Sequence, residues 1–155
     1  MRIVLQRVSS ASVTVDDKTI DKIDQGLLLL LGIAPGDAQP DIDWLLNKVL
    51  TLKVFEDETG KLKKSVQDAQ GSLLIVSQFT LYGDVRKGTT PSWSGAAAPA
   101  EAEKIYQQFV DTARQRGIYI ATGQFQAHMQ VSLVNDGPLT LVIDSPKNLA
   151  SSSNG

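Results

Sequence analysis

Apolar and polar residues alternate from the start of the chain. "RIVLQRV", 2–8, has the period of two expected of a half-buried strand. "SVTVDDKTI" alternates as well and puts Asp16-Asp17-Lys18 at a hairpin tip. "GLLLLLGI", 26–33, is apolar throughout, which predicts a strand buried on both faces. The period then lengthens. Ile42, Leu45, Leu46, Val49 and Leu50 form one stripe of a helix over 38–51, with Asp37 as its N-cap. "LKVFEDETGKLKKSV" predicts a strand, a turn at Gly60 and a short return, and "SLLIVSQFTL", 72–81, another strand. A second helix is expected over 99–116. Pro99 opens it, Glu101 and Glu103 lie in its first turn, Arg114 and Arg116 in its last, and Gly117 ends it. Its apolar stripe is Ala102, Ile105, Tyr106, Phe109, Val110 and Ala113. Three strands follow, "IYIATG", "HMQVSLV" and "LTLVID". The last two flank "NDGP", whose Asn-Asp-Gly has the chemistry of a hairpin turn.

These elements do not strictly alternate, so a doubly wound parallel sheet is excluded. The pattern predicts an α+β fold: about eight mostly antiparallel strands in curved, barrel-like sheets, with two helices packed on one side. No repeat or linker divides the chain. A single domain over 1–145 is expected, followed by a polar tail, 146–155.

Composition narrows the function classes. The longest apolar run, "GLLLLLGIA", falls far short of the roughly 20 residues of a membrane helix. The first residues lack a signal peptide's apolar core and cleavage site, so a cytoplasmic protein is expected. The absence of cysteine excludes disulfide and thiolate chemistry. Net charge is −2 and no window carries a dense block of Lys and Arg. Broad binding along a nucleic-acid duplex needs a basic stripe, and none is present. A short contact with one end of an RNA remains allowed.

Candidate chemistry is sparse. Segment 82–95, "YGDVRKGTTPSWSG", has no periodicity and predicts a loop of the kind that carries function. The strand before it turns polar at Ser77, Gln78 and Thr80. A nucleophilic Ser77 or Thr80 would need a base within hydrogen-bond reach. The one histidine, His128, lies on a strand of alternating polarity, where an exposed surface position is the simpler reading. There is no G-x-S-x-G elbow, phosphate-binding loop or dinucleotide fingerprint. One histidine and no cysteine argue against a zinc site. Asp16/Asp17, Glu56/Asp57/Glu58 and Glu101/Glu103 match solvated turns and a helix start. Arg7 is either an edge charge or a donor to an internal carbonyl.

Three segments together carry a family resemblance. "VSQFTLYGD" (76–84), "KGTTPSWSGAA" (87–97) and "TGQFQAHMQVSLVNDGPLT" (122–140) resemble the D-aminoacyl-tRNA deacylases. The likeness runs from residue 1 to about 144. It implies a homodimeric α+β enzyme that hydrolyses the ester between a D-amino acid, or glycine, and the terminal adenosine of tRNA, with no cofactor and no metal. Gly137-Pro138 matches the family's Gly-cisPro motif, which is inserted from one subunit into the other's active site and excludes L side chains. Asn135 belongs to the same "NDGP" motif. Ser77, Gln78, Phe79 and Thr80 match the segment lining the pocket for the adenosine and the ester, where N–H groups near Phe79 and Thr80 would hold an oxyanion. Met129 matches the pocket methionine that packs on adenine, and Arg7 the arginine that buttresses the Gly-Pro loop. The likeness implies attack by water, positioned with help from the RNA's 2′-hydroxyl, rather than a covalent intermediate.

Two departures qualify it. Many relatives have Arg-Pro-Ser-Phe where this chain has Thr90-Pro91-Ser92-Trp93, and Trp93 is a larger stacking surface. His128 stands where an acidic residue is common. Two other classes stay open, a non-catalytic module for the tRNA 3′ end and a generic serine or threonine esterase.

Overall fold

The computed structural model describes residues 1–147, so 148–155 of the predicted tail lie outside the described residues. Eight strands and two helices follow in the order β1 (Arg2–Val15), β2 (Lys18–Ile23), β3 (Gly26–Gly32), α1 (Gln39–Thr51), β4 (Phe55–Glu56), β5 (Leu62–Lys64), β6 (Ser72–Ser77), α2 (Pro99–Arg114), β7 (Ile120–Thr122) and β8 (Gln130–Asp144). A 3-10 turn, Phe79–Tyr82, follows β6. None of the described helices is long and apolar enough to cross a membrane.

The fold is α+β, as expected, and β1 is its organiser. One edge of β1 pairs antiparallel with β3 over residues 2–8 and with β2 over 11–15. The other edge pairs antiparallel with β8. Beyond β3 the sheet changes character, because β3–β6 and β6–β7 are parallel. A parallel join needs a crossover, and α1 and α2 lie in the two connections. The sheet order is β2-β1-β3-β6-β7, with β8 beside β1. The curl nearly closes, since Thr122 N donates to Asp21 Oδ2 at 2.9 Å and ties β7 to β2. The β4–β5 ribbon forms a separate small sheet.

Two cores result, one on each face. Ile3, Leu5, Leu27, Leu29, Leu31, Leu73 and Ile75 pack against both helices. Val8, Ala11, Val13, Ile23, Leu28, Leu74, Val76 and Ala121 fill the inside of the curl. This explains the unbroken "GLLLLLG" of β3, whose successive leucines serve opposite cores. The stripes predicted for the helices are the buried ones: Ile42, Leu45, Leu46, Val49 and Leu50 in α1, and Ala102, Ile105, Tyr106, Phe109, Val110 and Ala113 in α2. Phe109 is fully buried, worth about 2–3 kcal/mol relative to exposure.

Several boundaries differ from expectation. The Asp16-Asp17 tip forms as predicted, with both residues at positive φ (50° and 62°) as a tight hairpin requires. "NDGP" is not a hairpin. His128 and Met129 precede the strand, and both halves of "QVSLVNDGPLTLVID" belong to β8 and pair with the same strand, β1. The register passes from Gln6↔Thr140 to Val8↔Asn135, so the intervening residues bulge out of a continuous strand. Turn residues signal a local reversal, but here the ladder on either side prevails. The strand predicted over 72–81 stops at Ser77, where the chain coils into the 3-10 turn. Asp37 does not cap α1. The cap position is Ala38, whose N–H donates to Asp41 Oδ2 at 3.0 Å, while Asp37 accepts from Ala34 N at 2.7 Å. Helix α2 ends at Arg114 rather than 116.

Candidate active site

Where β6 leaves the sheet, a cleft of about 840 Å³ opens. Ser77, Gln78 and Phe79 line one wall, Phe125 to Met129 another, and Leu31, Ile33, Ala97 and Pro99 contribute apolar surface. Its lining contains no Lys, Arg, Asp or Glu, and His128 is its one ionisable side chain. Among the described residues, no group of three His, Cys, Asp or Glu could hold a metal ion.

The 3-10 turn shapes the reactive end. Gln78 N donates to Leu31 O at 2.8 Å, and Leu81 N closes the turn onto Gln78 O at 3.2 Å. The first N–H groups of a helical turn have no partner within it. Among the described residues, those of Phe79 and Thr80 have no acceptor. Gln78 Nε2 donates to Thr80 Oγ1, and among the described residues no base accepts a bond from that hydroxyl. Thr80 itself does not line the cleft. Phe79 is exposed and meets Trp93 edge to face at 5.4 Å. Gly83 makes this possible, since a Cβ there would lie 2.7 Å from the Trp93 ring.

The opposite wall depends on Gly123. A Cβ there would lie 2.7 Å from Met129 Sδ, which also accepts from Gln124 N at 3.4 Å. Beneath it the buried Tyr106 hydroxyl donates to Ile75 O at 2.8 Å and its ring packs on Phe125. Burial pushes the Tyr106 phenol up to about 12, and likewise that of half-buried Tyr82. Both stay neutral and neither serves as a base.

The other predicted residues lie elsewhere. Gly137, Pro138, Asn135 and Arg7 do not line the cleft. Gly137-Pro138 is exposed on the β8 bulge and its peptide bond is cis. Arg7 is 6% exposed and answers the question its spacing left open. Its Nε donates to Asp136 O at 3.1 Å and its Nη1 to Val54 O at 2.8 Å. Asn135 clasps the neck of the bulge, accepting from Leu139 N at 3.2 Å and donating to Thr140 Oγ1 at 2.9 Å. The structure therefore groups Ser77, Gln78, Phe79 and Met129 in the cleft, Thr80 and Trp93 beside it, and the remaining four in a second assembly.

Arg2 was missed. It donates to Leu81 O at 3.0 Å and to Asp144 at 2.8 Å, and lies 5.1 Å over the Tyr82 ring, so it fixes the turn. Its partners are too distant along the chain to leave a local signal. Tyr106 was read as core alone, although a phenol on a buried stripe must find an acceptor.

Among the described residues, the cleft has no group of three metal-ligating side chains and no Lys, Arg, Asp or Glu in its lining, and it is bordered by N–H groups without acceptors, the setting of a ligand site built on backbone donors. Comparison with known proteins is more specific. The family model for D-Tyr-tRNA(Tyr) deacylase matches residues 4–144. The D-aminoacyl-tRNA deacylase of Clostridioides difficile (strain 630) is 52% identical over 148 residues, covering 96% of this chain and 99% of that one. That of Thermosipho africanus (strain TCF52B) is 53% identical over 147 residues, covering 95% and 99%. Among solved structures, the c-Myc DNA Unwinding Element Binding Protein superposes with a TM-score of 0.88 at 43% identity, over 94% of this chain and 99% of that one. The chain belongs to the D-Tyr-tRNA(Tyr) deacylase family, whose members are hydrolases of aminoacyl-tRNA esters.

Proposed function

We propose that this protein hydrolyses the ester joining a D-amino acid, or glycine, to the 3′-terminal adenosine of tRNA, in the cytoplasm, and spares L-aminoacyl-tRNA. The observation that carries the reading is a cleft without Lys, Arg, Asp or Glu, edged by N–H groups of Phe79 and Thr80 that have no acceptor among the described residues. An apolar cleft suits a neutral nucleoside and its ester. Backbone donors suit the oxyanion of a tetrahedral intermediate. Water adds to the ester carbonyl carbon, the carbonyl oxygen takes the negative charge between the two N–H groups, and the bond to the ribose 3′-oxygen breaks. The 3′-oxygen leaves with one of the water's protons, the other passes to solvent, and the amino acid leaves as its carboxylate. The RNA's 2′-hydroxyl helps position the water. Thr80, outside the cleft lining and with no base on its hydroxyl among the described residues, takes no part as nucleophile.

Chirality is read by a second copy. The Gly137-Pro138 loop stands apart from its own chain's cleft, and β8 pairs only with β1 among the described strands. That leaves a 15-residue edge bearing the exposed Leu133, Val134, Leu141 and Val142. An edge of this kind is a template for association. In the homodimer each loop enters the partner's cleft, where its carbonyl groups occupy the space an L side chain would need.

The test is single-turnover deacylation of one tRNA charged with D-tyrosine or L-tyrosine, in wild type and Thr80→Ala. Rapid loss of the D ester alone, largely retained in the variant, is expected. Loss of both esters would remove the filter from the reading. Binding with neither ester lost would make the protein a module for the tRNA 3′ end. Abolished turnover in a folded, tRNA-binding Thr80→Ala would restore the nucleophile.

A further inference from the structure

The cleft lining holds no Lys or Arg, yet every nucleotide preceding the terminal adenosine brings a phosphate. Two routes lead out of it toward cations. One crosses Phe125 into a groove of about 380 Å³ lined by Arg114, Gln107, Gln124 and Thr122. There Glu103 shares the lining and Asp111 lies 3.9 Å from Arg114, so two carboxylates face one cation. The other route runs from Phe79 to Trp93 and onto the loop 83–95.

This loop is a built arm. Asp84 and Ser92 exchange two backbone hydrogen bonds at 2.8 Å and close its base. Trp93, 43% exposed, continues the aromatic surface that Phe79 begins inside the cleft. At the tip, Arg86 holds Asp84 through Nε at 2.9 Å and Nη2 at 2.7 Å, which fixes the side chain; with Lys87 beside it in sequence, two cations face one carboxylate, and Nη1 has no partner among the described residues. The contact also holds the Asp84 carboxyl below its ordinary range. Lys87 is exposed and forms no ion pair among the described residues. Aromatic faces beside oriented cations are how single strands are held, bases on rings and phosphates on charges.

We propose that loop 83–95 is the arm that binds the single-stranded 3′ end of tRNA upstream of the terminal adenosine, with Arg86 and Lys87 on two successive phosphates and Trp93 under a base. This rests on the function proposed above. It also gives this acidic protein a local means of holding RNA, with a shallow dependence on salt.

Equilibrium binding of uncharged tRNA across a salt series tests the arm without requiring turnover. The Arg86→Ala/Lys87→Ala double variant should bind about tenfold more weakly. The slope of log affinity against log salt should flatten by about 1.4, at roughly 0.7 per phosphate on a single strand. Lys87→Ala, which leaves the Arg86–Asp84 pair intact, should give about half of that change. In turnover, KM for D-tyrosyl-tRNA should rise at least tenfold more than KM for D-tyrosyl-adenosine, which has no phosphate. Unchanged affinity and slope in the double variant would overturn the proposal. So would equal losses on the two esters, or a larger binding defect in Arg114→Ala. A wild type that binds tRNA but deacylates neither ester would refute the proposed function while leaving the binding comparison decisive for the arm.

Discussion

The end of β6 and the bulge of β8 are both places where a strand gives up its ladder, and they do so in opposite ways. At β6 the chain coils into a 3-10 turn that leaves the N–H groups of Phe79 and Thr80 without acceptors among the described residues. At β8 the released groups are taken up again. Arg7 captures Asp136 O from behind, and Asn135 spans the neck to Leu139 and Thr140. The first site withholds hydrogen bonds for something the chain does not contain. The second spends them on holding its own shape. Unsatisfied donors suit a site that binds charge developing in a reaction, and a stapled loop suits one that must not yield.

The largest way to break this contrast is Arg7→Ala. It strands the buried Val54 carbonyl and releases the Asp136 carbonyl of the bulge, with a loss of about 3 kcal/mol expected from the charged hydrogen bonds removed. Denaturant titration should show the loss, and the ratio of D to L deacylation should fall. Full stability would mean the loop is held by other contacts. Gly137→Ala comes next. Its φ is +124° and the added Cβ would lie 2.8 Å from Arg7 Nη2, so a cost of about 2 kcal/mol is expected. Discrimination should weaken at least as much as rate. A variant with wild-type selectivity and an intact fold would separate loop shape from discrimination.

Tyr106→Phe should cost about 1 kcal/mol, because Ile75 O keeps its second donor, Gly123 N, at 3.2 Å. It should also change the pH dependence. The folded pKa of about 12 lies above the ordinary 10. The unfolded chain therefore releases the proton first, and stability present below pH 10 is lost as pH rises toward 12. The variant should show a gentler decline over that window, and an identical decline would exclude Tyr106 as its source. Smallest in stability is Gly123→Ala, well under 1 kcal/mol if the flexible Met129 gives way. KM for D-aminoacyl-tRNA should nevertheless rise several-fold. An unchanged KM would remove Met129 from the binding surface.

Helices were the most legible part of the sequence, because their burial follows local periodicity. Every apolar position named for α1 and α2 is buried. The alternating runs were recognised as strands, but their continuity was not. Nothing local says that residues 130–135 and 140–144 pair with one partner on either side of a bulge. Asn-Asp-Gly-Pro reads as a turn at short range, and only the ladder to β1 decides otherwise. Ser77, Gln78, Phe79 and Met129 could be named from motif, and the cleft joins them. Arg2 could not, since Leu81 and Asp144 reach it only through the fold. Arg7 was visible as a charge among apolar neighbours, but its acceptors were not.

The bulge rides on β1, which is paired along both edges, whereas one wall of the cleft leans on β7, three residues long. Opening of a short peripheral strand costs far less than parting a ladder anchored on both sides of a loop. On the proposed division of labour, the two assemblies would fail in sequence as temperature rises. The catalytic wall would loosen while the discriminating loop still kept its shape. A warmed enzyme of this build would grow slow before it grew careless, so translation would lose editing capacity before correctly charged tRNA came under attack.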